Sequence, residues 1–117
     1  MNEAQPLMLE VISQQGIPVI ELTGEINSFA QPVLEDAYSR AEELPGRAIL
    51  LDFSQVEYIN STGIALIVNL LRRARSQERE LLASGLSSHY QEIFKLTRLS
   101  DFIRVYPDVE QAIADHQ

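Results

Sequence analysis

Ser61 and Thr62 are the residues of this chain best placed to take part in chemistry. They stand side by side in Asn60-Ser61-Thr62-Gly63, after a short apolar run, Ile49-Leu50-Leu51, and before Ile64, Ile67, Val68 and Leu71. The run has no helical spacing and reads as a strand buried on both faces. The four later residues fall at i, i+3, i+4 and i+7, one face of an amphipathic helix. Two adjacent hydroxyls therefore sit where a strand hands over to a helix N-terminus. A hydroxyl is a weak nucleophile until a positioned base takes its proton. The chain has only two histidines, His89 and His116, and neither comes with a serine–acid constellation of recognisable spacing. The five glycines stand alone, so no Walker or dinucleotide phosphate loop is present, and clustered metal ligands are missing. These residues point to a substrate or binder, not an enzyme, and to no cofactor or metal. The plain alternative is a helix cap, with Asn60 or Ser61 satisfying free backbone N–H groups, and local spacing alone favours it.

The elements that would hold this stretch can be read in order. Leu7 to Ile12 and Ile17 to Thr23 read as two strands joined at Gln14-Gln15-Gly16 in a hairpin, with Pro18 at a strand start or edge and Gly24 closing the second strand. Asn27 or Ser28 can cap a helix over roughly Ala30 to Glu43. Pro32 falls in its first turn, and Val33, Leu34, Ala37 and Ala41 or Leu44 form its buried face. Pro45-Gly46 stops that helix, and Ile49 to Phe53 forms the central strand. Ser54 to Glu57 reads as a polar connection leading to Tyr58-Ile59 and the two hydroxyls. Beyond the central helix, Glu80 to Ser84 is a further buried strand. Ser87 or Ser88 caps a helix carrying Tyr90, Ile93, Phe94 and Leu96 to Leu99; Phe102 to Tyr106 is a last strand, and Pro107-Asp108 opens a short helix through Ala114. The pattern predicts an α/β fold: one domain over residues 1–117, its core about 7–114, with a mixed β-sheet of about four to five strands and four helices.

The 117 residues suffice for one domain, and an apolar content of 45% is that of a globular chain. Cysteine is absent, which removes disulfides and thiol chemistry. Residues 1–6 lack the basic start and apolar segment of an export signal, and no apolar run reaches membrane-spanning length. The expectation is a cytoplasmic protein without membrane insertion. Without export, Asn60-Ser61-Thr62 is not read as a glycosylation sequon. The net charge of -8 argues against direct nucleic-acid binding. Residues 1–60 hold ten Asp and Glu against Arg40 and Arg47, whereas residues 61–117 hold seven charges of each sign. That asymmetry either serves solubility or gives a one-signed face that steers a basic partner. Arg72-Arg73-Ala74-Arg75 reads as a solvated helix C-terminus complementing the dipole.

Taken together, Leu51-Asp52-Phe53-Ser54, Tyr58-Ile59 and Asn60-Ser61-Thr62-Gly63 resemble the phosphorylation motif of the STAS domain family, whose best-known members are anti-sigma factor antagonists. Leu22-Thr23-Gly24-Glu25-Ile26-Asn27 fits the family's early turn. Ile93 to Leu99 and Asp108 to Ile113 fit its closing helices. The resemblance implies a single STAS domain that binds an anti-sigma factor in the unmodified state. It implies partner switching: an ATP-using anti-sigma factor protein kinase would phosphorylate Thr62, with Ser61 the lesser acceptor, and a serine/threonine phosphatase would restore the active form. The implied contact surface is Asn27, Ser28, Asn60, Ser61, Thr62 and Gly63, with Gly63 leaving room for a kinase to approach. Family members usually carry aspartate where this chain has Asn27 and Asn60; asparagine keeps the capping ability and loses the charge. A rival reading within the family is a non-phosphorylated scaffold subunit of a membrane transport complex.

Overall fold

The computed structural model describes residues 6–116. Residues 1–5, on which the export reading largely rests, and residue 117 lie outside the described residues. The element order is β1 (Met8–Gln14), β2 (Ile17–Ile26), a 3-10 turn (Ser28–Ala30), α1 (Gln31–Glu42), β3 (Ala48–Ile59), α2 (Ser61–Ser76), β4 (Glu80–Ser84), α3 (Ser88–Leu96), a second 3-10 turn (Leu99–Asp101), β5 (Arg104–Tyr106) and α4 (Val109–Asp115). The five strands lie in chain order across one sheet. β1 is antiparallel to β2, and every later neighbour is parallel. The mixed α/β domain expected from the alternation of patterns is the one observed.

The hairpin turns on Gln15 and Gly16, at φ 51° and 83°, the paired left-handed geometry that matches strand twist. Pro18 pairs with Ser13 of β1, and the β3 register begins only at Val19, so its missing N–H breaks no ladder on that side. Two expectations about strand length are corrected. β2 does not end at Gly24 but runs on to Ile26, and Ser54 to Glu57 is not a connection but the second half of β3. The pairs Thr23–Gln55, Gly24–Val56, Glu25–Tyr58 and Ile26–Ile59 carry both strands forward, with register shifts on either side of the Thr23–Gly24 step. Such irregularities accommodate a polar, partly solvated stretch that simple alternation does not reveal.

The larger core lies between the sheet and α1, α2 and α3. Ile20, Leu22, Ile49, Leu51, Phe53 and Leu81 meet Leu34, Tyr38, Ile67, Leu70 and Phe94 there. On the opposite face α4 alone covers Val19, Leu50 and Leu82 with Ala112 and Ile113. The α1 stripe differs from expectation: Val33 is 43% exposed, and Tyr38 is buried instead. The buried stripe of α2 is Leu66, Ile67, Leu70, Leu71 and Ala74, with Ile64 and Val68 only half-buried. The stripe is wider than a single-face pattern because α2 packs on the sheet and also against α1, where Leu66 and Leu70 face Leu34 across a cavity of about 320 Å³. No helix among the described residues is long and apolar enough to cross a membrane.

Candidate functional site

The site is the seam where the far ends of β2 and β3 feed a 3-10 turn and a helix. Asn60 leaves β3 in an extended conformation, φ -88° and ψ -179°, and its N–H donates to the Ile26 carbonyl at 3.1 Å. Its Oδ1 accepts the Gly63 N–H at 2.8 Å, and its carbonyl accepts the Ile64 N–H at 3.0 Å. Between the two caps left open by the sequence, the helix uses Asn60. Ser61 and Thr62 are then the first two helical residues. Both are exposed, and neither hydroxyl has a hydrogen-bond partner among the described residues.

Gly63 does something other than clear a path for an enzyme. It is buried, and a Cβ added there would lie 2.2 Å from the Ile26 carbonyl oxygen and 2.9 Å from Ile59 Cγ2. The vacant volume belongs to the chain's own backbone, so Gly63 lets α2 start against the end of β2, and its side of the helix offers no surface to a partner. Asn27 sits across the seam from Asn60 and acts likewise. Its Oδ1 accepts the Phe29 N–H at 3.0 Å, and its carbonyl accepts the Ala30 N–H at 3.0 Å, so it caps the turn before α1. Ser28 next to it is exposed. The structure thus brings Asn27, Ser28, Asn60, Ser61 and Thr62 to one seam, held by the Ile26–Ile59 pairing.

Two residues of this region were not singled out by the sequence. Tyr90, from α3, reaches the end of β3: its hydroxyl accepts the buried Ile59 N–H at 2.8 Å and donates to the Ile59 carbonyl at 3.4 Å. Nothing in its helical spacing separates it from an ordinary core aromatic. Phe29 is 86% exposed on the 3-10 turn beside the cap. Its position inside a polar turn, between Ser28 and Ala30, is the only signal the sequence holds.

A first turn with exposed hydroxyls carries the positive end of the helix dipole, and the Ser61 and Thr62 N–H groups are among the donors a helix leaves free. The histidines are engaged elsewhere. The His89 ring lies edge-on to Tyr90 with centroids 4.8 Å apart, and His116 contacts the Ala112 carbonyl and Glu80, each at 3.0 Å. No base is set against Thr62 among the described residues, so the geometry suits an acceptor of an anionic group delivered from outside.

Residues 8–112 match the family described as STAS domain. The chain belongs to the STAS domain family. Among its STAS relatives, the anti-sigma-B factor antagonist of Listeria monocytogenes is 30% identical over 86 residues, covering 74% of this chain and 75% of that protein. An anti-sigma factor antagonist from Mycobacterium paratuberculosis superposes with a TM-score of 0.80 at 22% identity, over 94% of this chain and 93% of that one. A sulfate transporter family protein from Wolinella succinogenes has a TM-score of 0.76 at 19% identity, over 90% and 88% of the two chains. The fold is therefore shared by antagonists and by a transporter-family protein, and it does not by itself choose between them.

Proposed function

We propose that this STAS protein is an anti-sigma factor antagonist: its unmodified form binds an anti-sigma factor through the seam, and a phosphate on Thr62 switches binding off. The observation that carries the reading is the exposed Thr62 hydroxyl, without a hydrogen bond, at the open first turn of α2. The similarity to the Listeria antagonist supports it over the transport-scaffold rival.

The switch needs no change of fold. A phosphate adds about -1.5 to -2 charge at neutral pH. At a helix N-terminus that charge meets free N–H groups and the favourable end of the dipole, so the free protein tolerates it. In a complex, the same group would be an uncompensated charge in a dry interface. A penalty of about 3 kcal/mol there lowers affinity roughly a hundredfold. The kinase brings ATP and the base that Thr62 lacks, and a serine/threonine phosphatase reverses the step; the cycle runs in the cytoplasm and needs no cofactor on this chain. Ser61, one position earlier and also exposed, is the secondary acceptor. Asn27 and Asn60 keep their capping bonds without charge, so they preserve the seam and present no carboxylate to the incoming phosphate.

The test is incubation with ATP and the anti-sigma factor kinases of the source organism, with the site located by mass spectrometry. The expected result is one phosphate, lost in Thr62→Ala and kept in Ser61→Ala, together with weaker binding of the modified protein. Binding that persists unchanged after stoichiometric phosphorylation would remove the switch.

A further inference from the structure

We propose that Phe29 is the apolar anchor of the partner interface, and that the partner presents an apolar hollow ringed by Lys or Arg. This deepens the antagonist reading and rests on it. Isolated apolar side chains are common on protein surfaces, and exposure alone carries little weight. Three further observations set Phe29 apart.

First, its backbone is already fixed. The Phe29 N–H is bound by Asn27 Oδ1, the Ala30 N–H by the Asn27 carbonyl, and Ala30 itself is buried, while Pro32 stiffens the start of α1. A ring held out on a fixed turn loses little freedom when a partner closes over it, and aromatic residues so placed dominate binding energies. Second, the turn is continuous with the acceptor. Ile26, directly before Asn27, bonds Asn60 through its carbonyl, and the same carbonyl lies against Gly63. The ring and Thr62 are therefore carried by two segments of one seam, and a body seated on one lies beside the other.

Third, the segments that form the seam are acidic. Glu25 and Glu57 lie on the strand ends leading into the seam, and Glu35 is exposed on α1. The segments that form the seam, residues 17–39 and 48–71, carry six acids and no Lys or Arg, so the complementary surface is cationic. Nucleic acid and anionic lipid are disfavoured by the same charges. A second copy meeting this one through the same patch would set acid against acid, as two-fold interfaces pair like with like.

The experiment is calorimetric titration of the full chain, as wild type, Phe29→Ala and Leu96→Ala, into the purified anti-sigma factors of the source organism. Light scattering and thermal unfolding are run on each. Leu96, 75% exposed on the last turn of α3, is the control for generic loss of apolar surface. Supporting results are a loss of about tenfold or more in affinity for Phe29→Ala, unchanged affinity for Leu96→Ala and unfolding midpoints like wild type. A Glu57→Lys variant should bind more weakly at low salt, with the difference shrinking as salt rises. If wild type binds and Phe29→Ala binds as tightly, the anchor is wrong and the antagonist reading stands. If wild type binds none of the anti-sigma factors, both fall. If light scattering shows wild type dimeric and Phe29→Ala monomeric, the patch is a contact between copies and the proposal is overturned.

Discussion

At its first turn α2 presents Ser61 and Thr62, whose hydroxyls have no hydrogen-bond partner among the described residues. Near its other end, Arg73 stacks over the Tyr38 ring at 4.8 Å and pairs with Glu42 at 2.5 Å. Arg79, just beyond the helix, donates to the carbonyls of Glu42 and Leu44, each at 3.0 Å, and so fastens the end of α1. One helix thus has a structural end and, on the function proposed above, a working end. At the structural end polar groups are drawn inward and tied to α1. At the working end only the backbone is tied, through Asn60, Gly63 and the Ile26 carbonyl, and the two hydroxyls are left out of the bonding. The difference teaches how an exposed hydroxyl can sit on a rigid frame: caps and a glycine fix the main chain without engaging the hydroxyl.

The contrast can be broken most severely at Gly63. A methyl there collides with main chain, which cannot rotate away, so Gly63→Ala should cost about 3 kcal/mol in denaturant unfolding, the upper end of overpacking losses. A cost below about 1 kcal/mol would show that α2 can shift along β2 and that the frame is not rigid. At the structural end, Arg73→Met keeps the bulk over Tyr38 and removes the partner of a mostly buried carboxylate. A loss of about 2 kcal/mol is expected by the same measurement, with the binding seam unaffected.

Tyr38 gives the structural end a pH signature. Its hydroxyl is pushed up from 10.0 to about 12, chiefly by burial and then by Glu42, with Arg73 and Arg79 opposing. The folded chain holds this proton more tightly than the unfolded one, so the contribution is complete below pH 10 and fades as pH rises from about 10 towards 12. The midpoint of unfolding should fall across that window, and Tyr38→Phe should flatten the fall. The smallest effect belongs to the working end. Thr62→Asp puts a charge at the favourable end of the dipole and should leave stability unchanged or raise it by about 0.5 kcal/mol, while abolishing anti-sigma factor binding. A large destabilisation by Thr62→Asp would mean that the hydroxyl has a structural task after all.

Much of the architecture was legible because it follows from short-range rules. The buried triplet Ile49-Leu50-Leu51, the Gln15-Gly16 turn, Pro32 at a helix start and Ser87 and Asp108 before helices each specify their element locally. What escaped depends on contacts distant in sequence. The continuation of β3 through Ser54 to Glu57 is dictated by pairing with β2, the burial of Tyr38 in place of Val33 by the stacking of α2 on α1, and the role of Gly63 by a carbonyl more than thirty positions earlier. The seam itself was found through its hydroxyls and caps, which lie close together in sequence. Tyr90 and Phe29 were missed because one looks like any core aromatic and the other acquires meaning only from its exposure.

The hydroxyl of Tyr90 has one more consequence. β4 runs beside β3 only as far as the Asp52–Ser84 pair, so among the described residues the distal half of β3 has β2 on one flank and no strand on the other. A flank without a strand partner is a template on which a foreign strand can add; here Gly85 packs against Ser54, whose N–H is bound by Asp52 Oδ1. The phenol occupies both the N–H and the carbonyl of Ile59, closing that flank next to Asn60 and the start of α2. One aromatic side chain thereby takes up the main-chain groups at the end of β3 that an added strand would otherwise pair with.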